Sequence, residues 1–275
     1  MIQIGLTTWK EHGSLLHQDE LTLSEYASVL PIVEINTTFY GIRSKAAAQD
    51  WLKQTPDTFK FIIKAYQGIT RQRSWEDSYA SEKEMYQAFF DFLQPLRDSG
   101  RLAAILFQFP SFFDCTEEHI VYLRKLRKIF PDDMMAIELR NTSWYDADML
   151  PSLLAFMRKE KMSLVIVDQP QVAIHSVPFV PEVTNPEFVY VRLHGRNKGN
   201  WLDKSPDWRK KRNLYRYSAD ELAELAAVIR SLNGRETAVI FNNNSAGDAA
   251  DNAMMLKDYL HITYEGLNPS QTSLF

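Results

Sequence analysis

Residues 188–197 read FVYVRLHGRN. Phe188, Val189, Tyr190 and Val191 are strand formers, and their apolar side chains occupy both parities of the run. A strand that is apolar on both sides is covered on both faces, as in a parallel sheet wrapped by helices. The run then changes character. Arg192 and His194 stand two residues apart, on one side of the pleat, and Gly195 ends the run. A charge pressed against a helix layer without partners costs several kcal/mol, so this pair needs a polar place to point.

Working outward, the same kind of run recurs along the whole chain: IQIGL (2–6), IVEIN (32–36), FKFIIKA (59–65), LAAILFQF (102–109), MMAIELR (134–140), SLVIVD (163–168) and TAVIFN (237–242). Amphipathic helical segments lie between most of them. One begins at Ser44, and another opens with Ser81 and Glu84 in capping-box spacing and stops at Gly100. Others follow Thr116 and Tyr145, one starts at Ser218 with Glu221 three residues on, and the last is DAADNAMMLKDYL. Eight strands alternating with helices over about 250 residues predict an α/β fold, a (β/α)8 TIM-type barrel. It occupies residues 1–265 as a single domain, with a tail at 266–275. A doubly wound open sheet is the alternative. Residues 169–187 carry four prolines and read as an irregular segment in place of the helix between strands 6 and 7.

The chain has 275 residues, 45% hydrophobic and 24% charged, with a net charge of −4. That excludes a protein that coats nucleic acid with its whole surface. Cys115 is the lone cysteine, so there is no disulfide framework, which suits a reducing cytosol. The start, MIQIGLTTWKEH, shows no secretory signal, and no apolar run reaches the roughly 18 residues of a membrane span. A cytoplasmic protein without a membrane partner is expected.

In a barrel the strand C-termini meet at one mouth, where this fold carries its chemistry. Polar residues crowd those ends: Glu34, Asn36, Lys64, Gln108, Glu138, Arg140, Asp168, Arg192, His194, Asn242, Asn243 and Asn244. A carboxylate–histidine set drawn from four strands raises the question of a divalent metal. Against it, Arg140 follows Glu138 by two and Arg192 precedes His194 by two, so guanidiniums start about 6–7 Å from the would-be ligands. No clustered ligand motif is present. The reading is a site without metal or cofactor for a small anionic molecule: phosphorylated, sugar-like or nucleotide-like. Arg140 and Arg192 would clamp the anion, helped by Asn36, Lys64, Gln108, Asn242, Asn243 and Asn244. Glu34, Glu138, Asp168 and His194 would carry acid–base chemistry of a hydrolase, lyase or isomerase type.

A second class of function comes from residues 195–217, which hold eight Lys and Arg against Asp203 and Asp207, with Trp201, Trp208, Tyr215 and Tyr217 interleaved. Cations with aromatics suit a nucleic-acid strand, and the opposing reading is a solvated loop whose rings pack on the barrel. The loop after strand 3 adds Arg71, Arg73 and Trp75 as a lid. At the other end, Gln271, Leu274 and Phe275 resemble the Gln-x-x-Leu-Phe core of bacterial sliding-clamp-binding peptides, with Thr272 where those peptides carry leucine. Such a tail would deliver the chain to DNA.

Several motifs together, EINTTFYG, LFQFPSFF, IELRNTSW, VRLHGR and FNNNSAGDAADNA, resemble the YecE-like family, domain of unknown function seventy-two. The resemblance covers nearly the whole chain and implies a TIM-type barrel but no activity. It also places the family's shared polar residues on Glu34, Asn36, Lys64, Glu138, Arg140, Asp168, Arg192, His194, Asn242 and Asn243. The chain departs from the family pattern in two places. The first strand reads GLTTW, with Thr8 where the family has a glycine, and ITR at 69–71 stands where a histidine often follows the threonine.

Overall fold

Nine strands, all paired in parallel, form one sheet in the order β6-β5-β4-β3-β2-β1-β9-β8-β7. They are β1 (Ile2–Thr7), β2 (Ile32–Ile35), β3 (Lys60–Lys64), β4 (Leu102–Gln108), β5 (Met135–Glu138), β6 (Ser163–Leu164), β7 (Ile166–Asp168), β8 (Phe188–Leu193) and β9 (Glu236–Phe241). The two ends of that order are halves of one stretch, SLVIVD, parted by Val165. The first half pairs with β5 and the second with β8, so the sheet rolls up into a barrel through this stretch. The computed structural model that shows this describes residues 1–172, 176–203, 205, 211–243 and 247–269.

Helices cover the outside, and their starts follow from their first residues. The Ser44, Ser81 and Ser218 hydroxyls each accept from the backbone N–H three residues on. Ser218 and Glu221 close a full capping box. Glu84 instead reaches one residue further back and accepts from the Ala80 N–H at 2.8 Å. Between β7 and β8 the described residues contain no helix. Among the described residues no helix is long and apolar enough to cross a membrane.

The strands bury two separate apolar layers, which assigns every strand position a side. Ile62, Leu106, Ala136, Val167, Tyr190 and Ile240 belong to the barrel interior. Their neighbours Ile63, Phe107, Ile137, Ile166, Val191 and Val239 belong to the layer shared with the helices. Side chains alternate along a strand, so the position two residues beyond each interior residue also faces inward. Those positions are Lys64, Gln108, Glu138, Gln169, Arg192 and Asn242, with Glu34 likewise two beyond the interior Ile32. The polar ring expected at the mouth is therefore the top layer of the barrel's own interior.

Candidate active site at the barrel mouth

Arg192 lies at the centre. Its guanidinium is 1% exposed and donates to Glu34 through Nε at 2.7 Å and Nη2 at 2.6 Å. Through Nη1 it donates to Glu138 at 2.5 Å. Tyr190, two residues earlier and one layer deeper, donates its hydroxyl to Glu34. Glu138 takes further bonds from Gln108 Nε2 at 2.7 Å and Arg140 Nε at 2.9 Å. Buried charges survive only when paired and hydrogen-bonded, and this web meets both conditions. Burial alone would raise the Glu138 carboxyl. Arg192, Arg140 and His194 overcome that and hold it well below the usual carboxylate range.

His194 sits against the web without being charged by it. Asn242 donates to Nδ1 at 2.8 Å, so the neutral ring carries its proton on Nε2, which faces Glu138 Oε1 at 3.4 Å. Burial lowers this imidazole to about 4, although Glu138 pulls the other way. Gly195, next in the chain, has φ +85°, and a Cβ there would stand 2.5 Å from Tyr215 Cβ. Glycine is required for this turn. The turn sends Arg196 back onto Asp168.

Lys64 completes the ring. Its Nζ donates to Gln108 Oε1 at 2.8 Å and lies 4.5 Å from the centre of the Phe39 ring. Four further side-chain atoms at this end of the barrel, Thr7 Oγ1, Thr8 Oγ1, His12 Nδ1 and Asn36 Oδ1, are buried with no hydrogen-bond partner among the described residues. They offer neutral contacts on the β1–β2 side. Thr8 holds φ +62°, a left-handed conformation that strains a β-branched residue.

Beside the web opens a cleft of about 350 Å3 lined by Ser111, Arg140, Asn141, Thr142, Trp201 and Arg212. The Arg212 guanidinium lies 3.8 Å from the centre of the Trp201 ring. A larger groove of about 570 Å3 includes Leu102 and Met134, at the strand starts, and lies at the opposite end of the barrel. Its Arg97 and Asp133 already form a two-bond ion pair at 2.8 and 2.7 Å. The fold carries its chemistry at the other face.

The structure thus joins Glu34, Lys64, Gln108, Glu138, Arg140, Arg192, His194 and Asn242 into one bonded chain. Asp168 and Asn243 stand apart from it. Asp168 follows Ile166 by two and faces the helix side, where it accepts from Arg196 Nε at 3.0 Å and from the Tyr217 hydroxyl at 2.6 Å. Asn243 follows Phe241 by two and donates to Asn252 Oδ1 at 3.0 Å and to the Tyr215 carbonyl at 2.8 Å. Asn244 lies outside the described residues, as do Gln271, Leu274 and Phe275. Tyr190, Thr7 and His12 are not singled out by the sequence reading, and Trp201 and Arg212 enter it only as parts of the basic aromatic loop. Tyr190 alone had a signal, since it shares the parity of Arg192.

In the described part of the 195–217 loop Trp201 and Tyr217 turn inward, and Tyr215 is part-buried. Trp201 is 6% exposed and Tyr217 1%. Arg196 bonds to Asp168 and Glu221, and Arg216 to Asp248 and Asp251. Among the described residues no group of three His, Cys, Asp or Glu side chains is placed to hold a metal ion.

Comparison with known proteins gives the same fold and adds kinship. The chain is 41% identical over 282 residues to the UPF0759 protein YunF of Bacillus subtilis (strain 168), covering 100% of both. It is similar to the crystal structure of a DUF72 family protein from Enterococcus faecalis V583, with a TM-score of 0.95, 46% identity and coverage of 98% of this chain and 99% of that one. A DUF72 family protein from Thermotoga maritima MSB8 superposes with a TM-score of 0.79 at 28% identity, over 95% of this chain and 100% of that one. The family model described as "Protein of unknown function DUF72" matches residues 3–274, so the chain belongs to the DUF72 family.

Proposed function

We propose that the barrel mouth binds and transforms a small anionic molecule, phosphorylated, sugar-like or nucleotide-like. The supporting observation is one of charge. With Lys64 protonated, Lys64, Arg140 and Arg192 stand against Glu34 and Glu138 in the bonded web of the mouth, among the described residues. Asp168 is already engaged with Arg196. An excess of buried positive charge is stabilised by an anion. Arg192 donates to both carboxylates and is closed off, so it orients Glu34 and Glu138 and does not touch substrate. Anion binding falls to Arg140, whose side chain is 22% exposed, and to Arg212, with the Trp201 ring beside them. His194 and Lys64 are the groups placed to move protons.

Calorimetric titration with inorganic phosphate and a panel of sugar phosphates tests this reading. Arg140→Ala and Arg212→Ala should each weaken binding by about 10–100-fold, the worth of a hydrogen bond to a charged group. Absence of binding at millimolar anion, or binding indifferent to both variants, would refute it. A single-stranded oligonucleotide that bound instead, with a steep salt dependence and no need for Arg140, would favour the nucleic-acid reading.

A further inference from the structure

We propose that Lys64 is a carbonyl-reactive amine, which forms an imine with an aldehyde or ketone group of the molecule held in the mouth. The substrate class rests on the reading of the mouth as a small-anion site; the reactivity of the amine does not. The placement is fixed from several directions. Lys64 ends β3 and points inward, two residues beyond the interior Ile62. The Thr38 hydroxyl donates to the Lys64 carbonyl at 2.6 Å and holds the backbone. The Gln108 amide can adopt one orientation only. Its Nε2 must donate to Glu138, so its Oε1 faces Lys64 Nζ.

The surroundings favour an uncharged amine. Nζ donates to one neutral oxygen, and no carboxylate lies within ion-pair distance of it among the described residues. The charged groups facing it are Glu34 from β2, Glu138 and Arg140 from the end of β5, and Arg192 from β8. Both carboxylates are committed to guanidiniums. Burial first, then Arg192 and Arg140, lower the Lys64 ammonium to about 7, with Glu34 and Glu138 opposing. A desolvated lysine beside another cation is a recognised form of activated amine nucleophile. The residue is half-buried at the mouth end of its strand.

The step balances within the amine and the carbonyl. The Nζ lone pair attacks the carbonyl carbon, and the C=O π pair moves onto oxygen. The two amine hydrogens pass to that oxygen, which leaves as water as the C=N bond forms. No oxidant or reductant is needed. A nearby anion on the substrate stabilises the cationic form of the imine.

The test uses the full chain, two probe aldehydes and sodium cyanoborohydride, which reduces the imine to a stable secondary amine. Glyoxylate is the anionic probe and acetaldehyde the uncharged one. After brief exposure at pH 7, peptide mass mapping should find Lys64 modified at least about tenfold faster than the exposed Lys10 and Lys53, given the large neutral fraction at that pH of an amine lowered to about 7. The rate at Lys64 should rise with a midpoint near pH 7, and Lys64→Arg should lose this adduct alone. Faster labelling by glyoxylate than by acetaldehyde supports both the amine and the anion site. Equal labelling by both keeps the amine and removes the anion site. Labelling of Lys64 no faster than of Lys10 and Lys53, with either probe, overturns the proposal.

Discussion

Replacing Arg192 by Met tests the central web with little change in volume. The guanidinium makes two bonds to Glu34, at 2.7 and 2.6 Å, and one to Glu138 at 2.5 Å. Without it Glu138 keeps Arg140 and Gln108. Glu34 keeps only the Tyr190 hydroxyl and loses its one ion pair among the described residues. The loss is that of one broken buried pair, about 3–5 kcal/mol. For a chain of this size that lowers Tm by roughly 10 °C. Urea denaturation followed by circular dichroism, with Cm and m fitted together, measures it at pH 7. In a Glu34→Gln background no orphaned charge remains, and the same Arg192→Met change should cost only about 1 kcal/mol. The pH dependence has a defined sign. A carboxyl held below its unfolded value contributes stability that is full above the unfolded value, near 4.3, and is lost as pH falls through the folded one. Glu138 is such a group, so the gap between wild type and Arg192→Met should narrow below about pH 4. A cost below about 1 kcal/mol at pH 7, or an equal cost in the Glu34→Gln background, would refute the view that Arg192 holds the mouth together.

Three further changes probe neighbouring parts. His194 is lowered from an unfolded value near 6.5 to about 4, so the unfolded chain binds the extra proton and stability falls as pH drops from about 6.5 to 4; His194→Gln should flatten that slope by roughly 3 kcal/mol, read from melts across the window. Thr8→Gly should raise stability by about 1 kcal/mol, because it removes a left-handed β-branched residue and a buried hydroxyl without a partner, less the extra backbone entropy of glycine; a lower Tm in the variant would count against strain at Thr8. Asp168→Ala should release Arg196 and Tyr217, lower Cm and speed tryptic cleavage within 195–217 at least several-fold; unchanged cleavage would show that Asp168 does not hold the loop.

The barrel was legible because its signal repeats: several strands show apolar residues at both parities, and Ser44, Ser81 and Ser218 mark the starts of three of the helices. Which polar residues meet was only partly legible, and parity is the reason. Leu164, Val165, Ile166 and Val167 are all apolar, so nothing in SLVIVD says which alternate pair faces the barrel interior. The structure puts Val165 and Val167 inside, which leaves Asp168 on the helix side. The same ambiguity separates Asn242, which meets His194, from Asn243, which meets Asn252. Where a polar pair brackets the register, as Arg192 and His194 do, the side was readable from the start. The cleft formed by Trp201 and Arg212 depends on how a long loop folds back, which no local pattern encodes.

The charge of the mouth ties the anion site to Lys64 and makes the link measurable. Glu34 and Glu138 are matched by Arg192 and Arg140, so a proton on Lys64 adds charge that nothing in the bonded web offsets. Without ligand the amine sheds that proton near pH 7. An anion without a carbonyl group, settling by Arg140 and Arg212, reverses the balance, and Lys64 should take the proton back; with a carbonyl-bearing anion the same positive charge is carried by the iminium. By linkage, binding of sulfate, a dianion that does not titrate in this range, should draw in up to one proton at pH 8, since Lys64 is then about one-tenth charged before binding. The uptake should vanish below about pH 6, where the amine is already protonated. Calorimetry in two buffers of different ionisation enthalpy reads it directly, because the observed heat shifts by the buffer's enthalpy for each proton moved. Lys64→Met should bind sulfate with no such shift. Equal heats in both buffers at pH 8 with binding intact, or an uptake that survives in Lys64→Met, would show that the anion site and the amine are not coupled.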